Sequence, residues 1–318
     1  MSTDELASQM RLDATALLDG LTREQRELAA RPFADDLARR WLEYRPRPRP
    51  GACLADLSRD ARKSAHRLLS TALSDHAYAQ AMGIVALEEV LDRREERLRN
   101  RHGGDYWVAV FGDPQGDSPW SWRFEGHHLS VTMTIAGDEV SPAPLFLGAN
   151  PALVSYAGRP VSRPLGPEED LARLLLDALG PADRATAVVS GRAPGDIRSG
   201  PRMVAPAGIE PAGIAAAGLG PTAAAALDQL IALYLDRLPA GLAARESARA
   251  HAGELHFAWE GPVTPGAPHY YRIQGDDLLI EYDTTDEGNH AHTVLRRPHS
   301  DFGGDVLAAH LRHEHHPA

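Results

Sequence analysis

Apolar positions recur with helical spacing through the first hundred residues and again between 167 and 238, and each stretch is followed by alternating, strand-like segments. Residues 3–19 predict a helix, with Ser2 and Glu5 at capping-box spacing. Thr22 and Gln25 form a second box, from which a helix is expected to run towards Tyr44. The alternating Arg and Pro of 45–50 cannot continue a helix, so they predict an extended connector, solvated or with its arginines on an anion. Helices are expected over 58–71 and 75–99. There Leu68, Leu69, Ala72 and Leu73, then Met82, Val85, Leu87 and Leu91, form an apolar face.

After Gly103-Gly104 the period becomes two. Residues 106–111, 120–124 and 127–135 are aromatic and β-branched between Gly, Pro and Asp, and predict strands, with a shorter one at 144–148. A helix over 167–179, a Gly/Pro/Ala-rich loop over 191–218 and a helix over 222–238 follow. Four strands (255–259, 269–273, 278–282, 290–295) and a closing helix over 305–313 complete the chain. Helices then antiparallel strands, twice over, give an α+β fold.

The two runs are alike in sequence. Trp122-Arg123-Phe124-Glu125-Gly126-His127-His128-Leu129 parallels Tyr271-Arg272-Ile273-Gln274-Gly275-Asp276-Asp277-Leu278, and Leu17-Leu18-Asp19-Gly20-Leu21 parallels Leu175-Leu176-Asp177-Ala178-Leu179. The order predicts an internal duplication, with halves 1–155 and 156–318 packed around a pseudo-dyad as one compact unit.

Composition narrows the function. The 318 residues carry 33 Lys plus Arg against 44 Asp plus Glu, a net charge of -11, which argues against a nucleic-acid partner. No apolar run approaches the ~20 residues of a membrane helix. The polar start MSTDELASQM does not read as a secretory or transit signal. Cys53 is the one cysteine, so no internal disulfide framework forms. The expected setting is cytoplasmic, with a small molecule as partner and no membrane.

Candidate chemistry lies in the histidines, of which there are 15. His290 and His292 begin a strand and point to one face, a common first half of a metal site. Glu281 and Asp283 share a face of the preceding strand. Of His127 and His128, adjacent in sequence, one is expected to reach the site. The expected metal ligands are His128, His290 and His292, with His127 and Glu281 as catalytic groups; Glu281 serves as ligand or general base. The bland alternative makes them polar strand and turn residues. Three nitrogens suit Zn, histidine with carboxylate suits non-haem Fe, and imidazole-rich sites suit Cu, so the divalent ion stays open between Fe, Cu and Zn. Arg123 and Arg272, at equivalent positions, are candidates for binding a substrate carboxylate or for structural ion pairs. His313, His315 and His316 sit in a polar tail expected to fray. No HExxH, paired CxxC, P-loop, GxGxxG between strand and helix, or GxSxG occurs.

These residues in this order resemble the domain of unknown function 3500 family. The resemblance rests on the Trp122 to Leu129 motif, Phe146-Leu147-Gly148-Ala149-Asn150-Pro151 and Phe257-Ala258-Trp259-Glu260-Gly261. Tyr270-Tyr271-Arg272-Ile273, Ile280-Glu281-Tyr282-Asp283, His290-Ala291-His292-Thr293-Val294, Asp301-Phe302-Gly303 and the early Trp41-Leu42-Glu43-Tyr44 complete it. It covers essentially the whole chain and implies membership without a reaction. The leading expectation is a metal-dependent enzyme acting on a small molecule. Oxidoreductase chemistry is preferred to a metallohydrolase, because the set mixes histidine with carboxylate and lacks a hydrolase motif. A non-catalytic metal- or ligand-binding protein and a structural or interaction protein are the other classes.

Overall fold

The structure, a computed structural model, describes residues 1–99, 101–203, 205 and 209–315. His316 lies outside the described residues, as do the side chains of His313 and His315. The first half runs α1 (Thr3–Asp19), α2 (Arg23–Ala29), β1 (Ala30–Arg31), α3 (Asp36–Arg39), β2 (Ala52–Cys53), α4 (Arg59–Ala72) and α5 (Asp75–Arg94). Strands β3 (Tyr106–Phe111), β4 (Trp120–Gly126), β5 (Leu129–Ala136), β6 (Glu139–Ser141) and β7 (Leu145–Ala149) follow, then a small ribbon, β8 (Val154–Tyr156) and β9 (Arg159–Ser162). The second half runs α6 (Gly166–Ala178), α7 (Pro181–Ala187), β10 (Val188–Ser190), β11 (Ile214–Ala215), α8 (Pro221–Leu235) and α9 (Ala240–Ala250). It closes with β12 (His256–Glu260), β13 (Tyr270–Gly275), β14 (Leu278–Thr285), β15 (His290–Arg296) and α10 (Gly304–His315). This is the expected α+β class. Among the described residues no helix is long and apolar enough to cross a membrane.

Local chemistry explains most boundaries. Both predicted capping boxes form: the Ser2 N–H donates to Glu5 at 2.8 Å, and the Thr22 N–H donates to Gln25 at 3.1 Å. The second helix stops at Ala29, far short of Tyr44. Pro32 disfavours helical backbone at Arg31, and residues 30–31 instead pair in parallel with β3. Likewise α5 ends at Arg94, before the expected 99. The new helix start that the sequence places after Leu179 forms α7, whereas the sequence pattern did not predict α9 or the β8–β9 ribbon.

One sheet joins both halves, in the order β1-β3-β4-β5-β7-β15-β14-β13-β12-β10, which reads alike from either end. On β3 sit a short parallel strand, β1, and a short antiparallel one, β2; on β12 sit β10 and β11 in the same senses. The halves meet where β7 pairs antiparallel with β15, Leu147 opposite Thr293 and Gly148 opposite His292.

The register sorts the side chains into two unlike faces. One row across the sheet reads Val108, Phe124, Val131, Leu145, Leu295, Ile280, Ile273, Phe257. It packs in one core with helix residues such as Leu17, Leu68, Ile84, Leu175 and Leu230. The next row reads Trp107, Glu125, Ser130, Phe146, Val294, Glu281, Arg272, Ala258. An antiparallel sheet usually leaves such a polar face in water. Here Glu125, Ser130, Glu281 and Arg272 are buried. Loops close over the face, with Leu42, Tyr44 and Ile197 packing on Phe146 and Val294. Several side-chain atoms on this face, among them Ser121 Oγ, Thr132 Oγ1 and Thr134 Oγ1, have no hydrogen-bond partner. Each such atom costs about 1–3 kcal/mol, so the fold carries a buried polar surface against its own stability.

Candidate metal centre

The histidines gather where the halves meet. His290 and His292, two apart on β15, place their ring centroids 4.5 Å apart. Opposite His292 stands Gly148, and a Cβ there would lie 2.8 Å from His128 Cδ2 and 3.1 Å from His128 Cβ. The glycine therefore leaves the space that the His128 imidazole fills. His128 itself sits in the β4–β5 turn with φ 61°, a left-handed conformation that a non-glycine residue adopts at a cost of roughly 1–2 kcal/mol. Its N–H donates to the Tyr44 carbonyl at 3.0 Å, and its carbonyl accepts from the Gly148 N–H at 2.7 Å. Asp276 and Asp277, at the matching turn of the second half, have no such backbone.

This backbone brings His128 Nε2 to 2.9 Å from His290 Nε2. Two nitrogens bound about 2.05 Å from one ion lie roughly 2.9–3.4 Å apart for ligand angles between square and tetrahedral. His292 joins them, and one ligand atom from each of the three falls within 4.8 Å of the others. His127 was expected to point away from His128. In the turn its ring instead stacks on His128, with centroids 3.7 Å apart.

Carboxylates stand behind the imidazoles. Asp286 Oδ2 lies 2.9 Å from His290 Nδ1. His292 Nδ1 lies 3.2 Å from Asp196 Oδ1 and 3.4 Å from Asp283 Oδ1. Glu88 bonds to His127 Nδ1. A carboxylate on Nδ1 fixes ring orientation and leaves Nε2 as the lone-pair nitrogen. Asp196 is itself held, accepting from the Tyr44 hydroxyl and the Ile197 N–H, each at 2.8 Å. Burial, helped by neighbouring imidazoles, pushes His128 well below its ordinary range and His290 down to about 4, so both are neutral bases near pH 7. Burial also opposes charge on His292, but Asp283 and Asp196 outweigh it and raise that group to about 9.

The structure brings His128, His290 and His292 together, stacks His127 beside them, and leaves Glu281, Arg123 and Arg272 elsewhere. Glu281 is one pleat away, opposite Val294, while Asp283 is the acid opposite His292. The Glu281 carboxylate accepts from the Arg198 N–H at 2.7 Å, the Ser199 N–H at 3.1 Å and the Tyr270 hydroxyl at 2.9 Å, which ties a loop to the sheet and replaces the expected ligand or base role. Arg123, 1 % exposed, pairs with Glu125 at 2.7 Å and donates to the carbonyls of Ala38 and Arg39, so it anchors the covering loop. Arg272 does the matching work, donating to the Glu210 carbonyl at 3.0 Å. Sequence reasoning missed Asp286, Asp196 and Glu88. A signal existed for Glu88, an acid interrupting the buried positions Ile84, Leu87 and Leu91 of α5. Asp196 lies in a Gly/Pro-rich loop where no periodicity marks it.

Gly148→Ala tests the arrangement. Gly148 has no left-handed backbone, so the contact with His128 alone opposes a methyl group. Thermal unfolding is expected to show a loss of about 1–3 kcal/mol, the range for overpacking a tight interior. An unchanged midpoint would mean that the His128 ring does not occupy this position.

Residues 3–304 match the model of a family described as Protein of unknown function (DUF3500). No curated protein and no solved structure matches the chain.

Proposed function

We propose that this chain, which belongs to the DUF3500 family, holds one divalent metal ion on His128, His290 and His292 and is an enzyme acting on a small molecule beside it. The observation that carries the reading is the 2.9 Å approach of His128 Nε2 to His290 Nε2. Asp286 already occupies His290 Nδ1, so two neutral imidazoles aim their remaining nitrogens at each other in a buried site. One shared proton satisfies a pair; an ion satisfies all three rings. His290, with 19 % of its side chain exposed, is the open side. Three protein ligands with an accessible position are the pattern of a catalytic site rather than a closed structural one.

The three nitrogens suit Zn or Cu, with Fe less well matched since Glu281 is not in the set. A bound ion supplies Lewis acidity or, for Cu or Fe, electron transfer. The chain supplies proton handling: Glu88 on Nδ1 of His127 leaves Nε2 of that ring to accept or give a proton. Glu281 leaves the set, but carboxylates still stand among the imidazoles, Asp196 and Asp283 at His292 and Glu88 at His127 and His128, so oxidoreductase chemistry keeps its ground. Metal-assisted hydrolysis stands level with it, and the identity of the ion decides between them.

Elemental analysis of the untagged chain, as purified and after reconstitution with Zn, Cu or Fe(II), is expected to find close to one ion per chain. Absence of metal after all three would sink the proposal. A graded test concerns Asp283, fully buried behind His292. Asp283→Asn is expected to weaken the ion about 10- to 100-fold in a chelator competition, the usual effect of losing an outer carboxylate.

A further inference from the structure

A cavity of about 400 Å3 lies against His127, and its charge is unlike that of the chain. Arg47, Arg49, Arg99 and Arg101 line it against two acids, Glu88 and Asp105, in a protein of net charge -11. Two of these arginines come from the Arg-Pro run of 45–50, which folds back against the sheet. Arg49 donates to the carbonyls of Glu43 and Gly126, each at 3.0 Å, and so fixes the run to the His127 hairpin.

The guanidinium groups are only partly committed. Arg49 is 6 % exposed, and its Nε is buried without a hydrogen-bond partner. Arg99 is 63 % exposed and reaches Glu95 only at 3.8 Å. Arg47 pairs with Glu43 and keeps 47 % of its side chain exposed. Arg101 grips Glu95 at 2.7 Å and turns Nη1 to within 3.3 Å of His127 Nδ1. Guanidinium donors in a fixed fork match the two oxygens of a carboxylate or phosphate, and in a recess they meet less screening than on an open surface. Pro46, Pro48 and Trp107 add an apolar wall.

We propose that this cavity binds a small organic oxyanion, a carboxylate or phosphate on an apolar body, and that this is the substrate class of the site. The oxyanion meets Arg47 and Arg99, with the Arg49 guanidinium in the wall behind them, and the body lies along Trp107. The ring of His127 then separates the ligand from the ion's histidines, since it lines the cavity and stacks on His128 at 3.7 Å. Oxyanion binding stands on the cavity alone; its meaning as substrate binding rests on the metalloenzyme reading.

Titration calorimetry on the untagged full chain tests it with benzoate, its neutral analogue benzamide, and inorganic phosphate. Benzoate is expected to bind with Kd on the order of 10 μM–1 mM, more weakly as salt rises, and benzamide at least about tenfold more weakly. The Arg47→Ala/Arg99→Ala variant changes two exposed side chains, so circular dichroism should be unaltered while benzoate weakens at least about tenfold. Phosphate binding in place of benzoate, lost in the same variant, would support the oxyanion site and assign it to phosphate. Equal binding of benzoate and benzamide, binding unchanged in the variant, or no binding of either anion would overturn the inference. Metal content is measured on the same preparations. Anion binding without metal overturns the metalloenzyme reading alone, and metal without anion binding overturns this inference alone.

Discussion

His290→Ala/His292→Ala is expected to carry no metal, against close to one ion per chain for the unaltered protein. Four protein ligands give structural Zn about 10–16 kcal/mol, so each contributes roughly 3 kcal/mol. Losing two therefore costs roughly 6 kcal/mol, or about 10⁴-fold in affinity. The double variant also strips Asp283 of its cationic neighbour, and Asp283 is fully buried, so stability falls as well. Two single variants separate the effects. His290→Ala keeps the Asp283–His292 pair and is expected to bind about 100-fold more weakly. His128→Asn suits the left-handed backbone at φ 61°, which asparagine tolerates, and should weaken binding similarly with the fold kept. Elemental analysis and the metal-induced rise in melting temperature read all three. Full metal content in the single variants would show that these imidazoles are not the ligands.

The second large effect is on stability. Arg237 and Glu168 are both 0 % exposed and pair at 2.6 Å. The same Glu168 oxygen accepts from Gln80 Nε2 at 2.8 Å, so one carboxylate joins α5 of the first half, α6 of the second and the turn after α8. Arg237→Met strands a buried carboxylate and is expected to cost about 3–5 kcal/mol in denaturant unfolding. Adding Glu168→Met should recover much of that loss, because breaking a buried pair costs more than replacing both members. If the two single changes were additive in the double variant, the pair would not be coupled as the distance implies.

Much of this fold was legible because periodicity is written locally. Helices α1, α4, α5, α6, α8 and α10 and all eight long strands were predicted within a few residues, and the matching hairpins at Arg123 and Arg272 fall at mirrored places in the sheet. His290 and His292 were legible as a pair because alternation alone places them together. The choice of acid was not. Glu281 and Asp283 share a face, and only the β14–β15 register puts Asp283 opposite His292. The choice of His128 over His127 likewise depended on one left-handed residue and on the space above Gly148, neither of which leaves a periodic trace. Arg123 and Arg272 stayed open between substrate binding and ion pairs because a strand pattern of alternating polar residues normally faces water, whereas here loops cover that face and both make ion pairs.

The seam between β7 and β15 has a consequence for synthesis. Leu145–Ala149 is apolar and fully buried, and its partner strand is encoded about 145 residues later. At roughly 5–20 residues per second, a ribosome takes about 7–30 s to supply it. Through that interval the nascent first half presents an unpaired hydrophobic strand edge, the kind of surface on which chains aggregate. Released early, as a truncated product, that half should need a chaperone to stay dispersed. On the proposed metal reading, ion capture needs histidines from both sides of the seam, which would make it one of the last events in the life of the new chain.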